Sequence, residues 1–145
     1  MVKTFFAPNG TEMAIMLRWF RKPAPLTGAP PVRRQKAYSA QSGYVYQYFY
    51  QGHRAAPHER GAEYVFDVSA DRKASTPVSV FLADEAVESW QNESGRALSA
   101  TEQYAIAKMA LFQAFDEREN PEAVQQPVRV GAAEVSAILA TLNID

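Results

Sequence analysis

From Tyr38 to Ala83 apolar and polar positions alternate along the chain, and beyond Ala83 they recur every third or fourth residue. Alternation sends successive side chains to opposite faces of a strand, whereas the longer spacing lines one side of a helix. The first pattern predicts three strands, over 41–51, Glu63–Ser69 and Pro77–Ala83. The segments between them, "GHRAAPHERGA" at 52–62 and "ADRKAST" from Ala70, carry Gly, Pro, Asp and Ser. Those residue types favour turns, and short links between neighbouring strands predict an antiparallel meander.

The second pattern predicts helices. Asp84 caps a short one that holds Val87 and Trp90 and ends near Asn92 or Gly95. Ser99-Ala100-Thr101-Glu102 reads as a capping box, in which the hydroxyl takes one free amide and the carboxylate reaches back to another. The helix it opens runs to about Glu119, because Asn120 precedes Pro121 and is steered away from helical geometry. Tyr104, Leu111, Phe112 and Phe115 share one side of it, Ile106 and Met109 another, which marks a helix buried against more than one layer. Val135, Ile138, Leu139 and Leu142 give an amphipathic helix near 132–142, and "PVRV" before it offers a further short strand. The fold class is α+β: a meander of three antiparallel strands, or four with "PVRV", packed on one face by the long helix and the C-terminal one.

The stretch "SGYVYQYFYQ" then poses a question of direction. Tyr44, Tyr46, Tyr48 and Tyr50 share one face; Val45, Gln47, Phe49 and Gln51 share the other. Tyr64, Phe66 and Val68, and likewise Val78, Val80 and Leu82, form uniformly apolar faces on the neighbouring strands. Matching like with like turns the tyrosines inward, since burial gains about 25 cal/mol per Å² of apolar surface. The outer face then carries Val45, Phe49, Val65 and Phe81 among Gln, Glu, Asp and Ser, a patch that calls for a cover or a partner.

Residues 1–36 read differently. "EMAIMLRWFRK" is sticky but too short to fold alone, and Pro23, Pro25, Pro30 and Pro31 make an extended linker. We read 1–36 as a partly mobile arm and 37–145 as a single domain. A net charge of −1 gives no overall pull toward nucleic acid or membrane. The absence of cysteine excludes disulfides and thiolate metal sites and fits a reducing compartment. The longest apolar run, Met13–Leu17, is far below the roughly 20 residues of a membrane span, so the expectation is a soluble, cytoplasmic chain.

The candidate chemistry is thin, and the residues resemble no characterised family. No phosphate-binding glycine loop, Gly-x-Ser-x-Gly or His-Glu-x-x-His occurs. No cofactor is implied, and no metal set can be chosen from His53, His58 and Glu59, which fall in one predicted loop. Lys108 lies within the aromatic stripe of the long helix, where burial could lower its pKa or where it could keep its amine in water. Three functions follow. The first is a non-catalytic module for protein contact or self-association, anchored by Phe49, Val65, Phe81, Val45, Trp19 and Phe20. The second is single-stranded nucleic-acid binding through Arg33, Arg34, Lys36, Arg72 and Lys73, which a meander would gather at one end of the sheet. The third is an enzyme built on the histidine loop or Lys108.

Overall fold

The computed structural model describes residues 23–145, so Trp19 and Phe20 lie outside the described residues. One sheet holds five strands in chain order: β1 (Lys36–Ser39), β2 (Val45–Ala55), β3 (Gly61–Ser69), β4 (Thr76–Ala83) and β5 (Val128–Val130). Between β4 and β5 come α1 (Asp84–Ser94), α2 (Ala100–Glu117) and α3 (Pro121–Val124), and α4 (Ala132–Thr141) follows β5. The class is α+β, as expected, but the sheet is mixed. The first four strands pair antiparallel, and β5 joins β4 in parallel.

Two features correct the expected meander of three or four antiparallel strands. The tight turn Ala40–Tyr44 makes a hairpin of β1 and β2, closed by the Ala40 amide donating to the Tyr44 carbonyl at 2.8 Å and the Gly43 amide donating to Ala40 at 3.0 Å. What reads as the opening of one long strand is therefore a reversal of direction. The three-residue "VRV" is the second feature. It reaches β4 only after the helical crossover that a parallel neighbour needs.

The helices cover the tyrosine face. Tyr46, Tyr48, Tyr64, Phe66, Val68, Val78, Val80 and Leu82 are all buried there. Phe115 stacks on Tyr46 with ring centroids 4.5 Å apart, Phe112 on Tyr38 at 4.4 Å, and Tyr104 leans on Tyr50 at 4.7 Å. These contacts set α2 antiparallel to β2, with its first turns over the Tyr50 end. Tyr44, just ahead of β2, is the exception at 41% exposed.

The start of α2 is held firmly, as its sequence predicts. The Glu102 amide donates to Ser99 Oγ at 3.1 Å, and the Ser99 amide donates to Glu102 Oε1 at 2.9 Å. Arg96 adds a two-pronged contact to the same carboxylate, which with the Ser99 amide holds the Glu102 carboxyl down at about 2. The helix ends at Glu117, a little before the expected Glu119. Asn120 instead caps the next turn, accepting from the Ala123 amide at 2.9 Å, and Pro121 takes the first helical position, where its missing donor costs nothing.

Candidate functional site

Helix α2 does not close over the whole sheet. Beyond its first turn a cavity of about 630 Å³ opens between the far end of β2, β3 and the incoming segment at Gly28 and Pro30. Tyr50, His53, Tyr64 and Tyr104 bring four rings to its wall, with Ala100, Thr101 and Gln103 from the start of α2. No Asp, Glu, Lys or Arg is among these lining residues. Tyr50 and Tyr64 lie 6.5 Å apart in a stacked arrangement, and the His53 ring stacks on Tyr64 at 5.4 Å.

A bulge brings His53 to this wall. In the β2–β3 register Tyr50 faces Phe66 and Gly52 faces Val65, so Gln51 is an extra residue. One inserted residue exchanges the faces of everything after it. Tyr50 and His53, three apart, thus share the inner face, and Tyr50 Oη lies 3.0 Å from His53 Nδ1. Arg54 accordingly points outward, where it pairs with Glu63 at 2.6 Å. The expected loop at 52–62 is corrected by this geometry: β2 runs on through His53 to Ala55, and β3 begins at Gly61.

Glycine permits the bulge and the approach of the incoming segment. Gly52 has φ +125°, and a methyl group there would meet the Thr27 carbonyl oxygen at 2.6 Å. Thr27 exchanges two backbone hydrogen bonds with His53, at 2.8 and 2.9 Å, which ties residues 26–30 to the cavity rim. Gly28, at φ +84°, leaves the space that the His53 ring occupies. We expect Gly52→Ala to cost roughly 1–3 kcal/mol of stability through backbone strain. It should also detach the Thr27 bridge, read as faster amide exchange at Thr27 and His53 with exchange in β4 unchanged.

The electrostatics keep the phenols neutral. Burial raises the pKa of Tyr50, Tyr64 and Tyr104 above the ordinary value, so each remains a hydrogen-bond donor near neutrality. When the Tyr50 hydroxyl donates to Nδ1, neutral His53 carries its own hydrogen on Nε2. The cavity therefore offers flat apolar walls with a few neutral donors and acceptors.

A smaller hollow of about 260 Å³ adjoins it, sharing Pro30, Tyr50 and Tyr104, and is bordered by Arg34 and Lys36. Neither cation forms an ion pair among the described residues, where the pairs include Arg54–Glu63, Arg60 with Asp84 and Glu88, Arg96–Glu102 and Arg129–Glu59. Lys108 lines neither space. Its ammonium stands 5.8 Å from the Phe112 ring centroid, and burial, with a lesser contribution from the charge of Lys36, lowers its pKa.

The other sequence candidates scatter. Val65 and Phe81 are buried, at 5% and 9% exposed, while Val45 stands out at 41%. The Arg129 guanidinium lies 4.8 Å over the Phe81 ring and is itself held by Glu59 through two bonds of 2.8 Å. Arg33 lies 5.2 Å over the half-buried Phe49. The basic residues do not gather at one end. Because Lys36 pairs with Tyr48, the chain ahead of it runs past Phe49, while Arg72 and Lys73 follow Ser69, which pairs with Gln47. Of the expected histidine loop, His53 is in the cavity wall and Glu59 is on Arg129. Among the described residues no three His, Asp or Glu side chains gather to hold a metal. Nor, among them, is any helix long and apolar enough to cross a membrane.

Reasoning from the sequence missed the cavity residues Tyr64, Tyr104, Gly28 and Pro30 as a group. The available signal was Gly52 within an otherwise strand-like run, the usual mark of a bulge or a close backbone approach. Comparison with protein-family models, with curated proteins and with solved structures finds no match to this chain.

Proposed function

We propose that this protein binds a small organic molecule with a flat, apolar body in the cavity between β2, β3 and the start of α2. The observation that carries this reading is the cavity itself: about 630 Å³, with Tyr50, His53, Tyr64 and Tyr104 in its wall and no Asp, Glu, Lys or Arg in its lining. Ligand sites are mostly apolar hollows of roughly 300–1,000 Å³ with a few placed polar groups. The Tyr50–His53 pair and Gln103 supply such groups. Contact with a protein partner, the function expected first, has weaker support, because Val65 and Phe81 are buried and Val45 is left as its exposed aliphatic anchor.

Phenylnaphthylamine, an uncharged dye that brightens in apolar sites, tests the proposal. The wild-type chain should enhance its emission saturably. Ala100→Trp, at an exposed position in the first turn of α2 that borders the cavity, should abolish the enhancement while leaving the thermal midpoint within a few degrees. No saturable enhancement by the wild type, or equal enhancement by the filled variant, overturns the proposal.

A further inference from the structure

The aromatic cavity and the smaller hollow beside it differ in charge while sharing three residues. Pro30, Tyr50 and Tyr104 border both. The larger has no Asp, Glu, Lys or Arg in its lining, whereas the smaller presents Arg34 and Lys36, and no acidic side chain lines either. A molecule seated among the rings and extending past Tyr50 would meet two cations that have no carboxylate partner among the described residues.

Building on the binding site proposed above, we infer that the ligand is an aromatic anion: a flat ring system in the tyrosine-lined cavity, with a carboxylate or comparable acidic group held by Arg34 and Lys36. The two halves demand different things. Ring-lined walls accept a planar body by stacking and apolar burial, which is indifferent to charge. The guanidinium of Arg34 matches a carboxylate with paired donors, and Lys36 supplies a further charge. A neutral ligand would leave these cations without benefit, and an anion with no apolar body would leave the larger cavity unfilled. Nucleophilic or redox chemistry is not required; the site holds and orients.

Calorimetric titration with naphthoate, naphthamide and decanoate tests this. Naphthoate and naphthamide share a ring system and differ in charge; decanoate has the charge without the rings. The wild type should bind naphthoate best, by about tenfold over naphthamide for one well-placed charge-assisted contact, and the preference should shrink with added salt. Arg34→Gln combined with Lys36→Gln, both at exposed positions, should lower naphthoate affinity to that of naphthamide and leave naphthamide unchanged. If naphthoate and naphthamide bind the wild type equally, the anionic part is overturned. If decanoate binds as tightly as naphthoate, the aromatic part is overturned. If neither aromatic probe nor the dye binds, the binding site itself is wrong, which is a different result from either.

Discussion

Replacing Phe115 by alanine should lower the stability of the fold by about 3–5 kcal/mol, the cost of truncating a fully buried phenylalanine. Phe115 has no exposed surface. Its ring stacks on Tyr46 at 4.5 Å and lies 5.6 Å from Tyr38 and 6.2 Å from Tyr48. One side chain of α2 thus joins β1 and β2 to the helical layer, and its loss leaves a void facing three rings at once. Those rings cannot collapse easily into the gap. Tyr38 is anchored by its hydroxyl donating to Asp116 at 2.7 Å, and Tyr46 is itself buried, at 1% exposed. A domain of this size has only about 5–15 kcal/mol in hand, so the variant should unfold at a much lower urea concentration. Phe115→Leu should recover a good part of the loss. A change below about 1 kcal/mol on truncation to alanine would mean that the tyrosine face is not packed against α2.

The contrast between what the sequence disclosed and what it hid has a physical basis. The inward direction of Tyr46 and Tyr48 could be read because their strand neighbours repeat an apolar parity through Tyr64, Phe66, Val78 and Val80, and inverting β3 would turn Glu63 and Asp67 toward the helices. The capping box at Ser99 could be read because its chemistry is local, confined to residues three apart. Hairpin β1–β2 was hidden because Lys36–Ser39 is a four-residue edge strand beside a proline-rich stretch, with too few alternations to declare a period. The strand at "PVRV" could be read, but its parallel pairing with β4 was hidden because that partner lies across the whole crossover of α1, α2 and α3. The cavity was hidden for a third reason. Its position depends on where α2 stops covering the sheet and on one inserted residue at Gln51 that exchanges faces, and neither leaves a periodic trace. Val65 and Phe81 show a different limit. Parity places them on the outer face, where they lie, but says nothing of their cover: both are buried there, and the Arg129 guanidinium lies over Phe81 and is itself anchored by Glu59.

Alkaline pH should be the condition this fold tolerates least, and the tyrosines fix the direction. The Tyr38 phenol is pushed up to about 12, first by its hydrogen bond to Asp116 and then by burial. Burial is the leading cause of the raised pKa of Tyr46, Tyr48, Tyr50, Tyr64 and Tyr104. A group whose pKa is higher folded than unfolded stabilises the fold fully below its unfolded value, near 10.0 for tyrosine. That contribution drains away as pH rises through the folded value, by up to roughly 1.4 kcal/mol per pH unit for each such group. Lys108 acts in the opposite sense, because burial already disfavours its charged form, but it is one group against six. The urea midpoint should therefore hold up to about pH 9.5 and fall steeply between about pH 10 and pH 12. The phenolate absorbance of the buried rings should appear in step with unfolding rather than before it. Tyr38→Phe removes the Asp116-linked group and should make the fall with pH shallower, even though the variant starts less stable at neutral pH. If instead the full phenolate signal develops near pH 10 while the far-ultraviolet spectrum stays native, the rings are open to water and the tyrosine face is not the core.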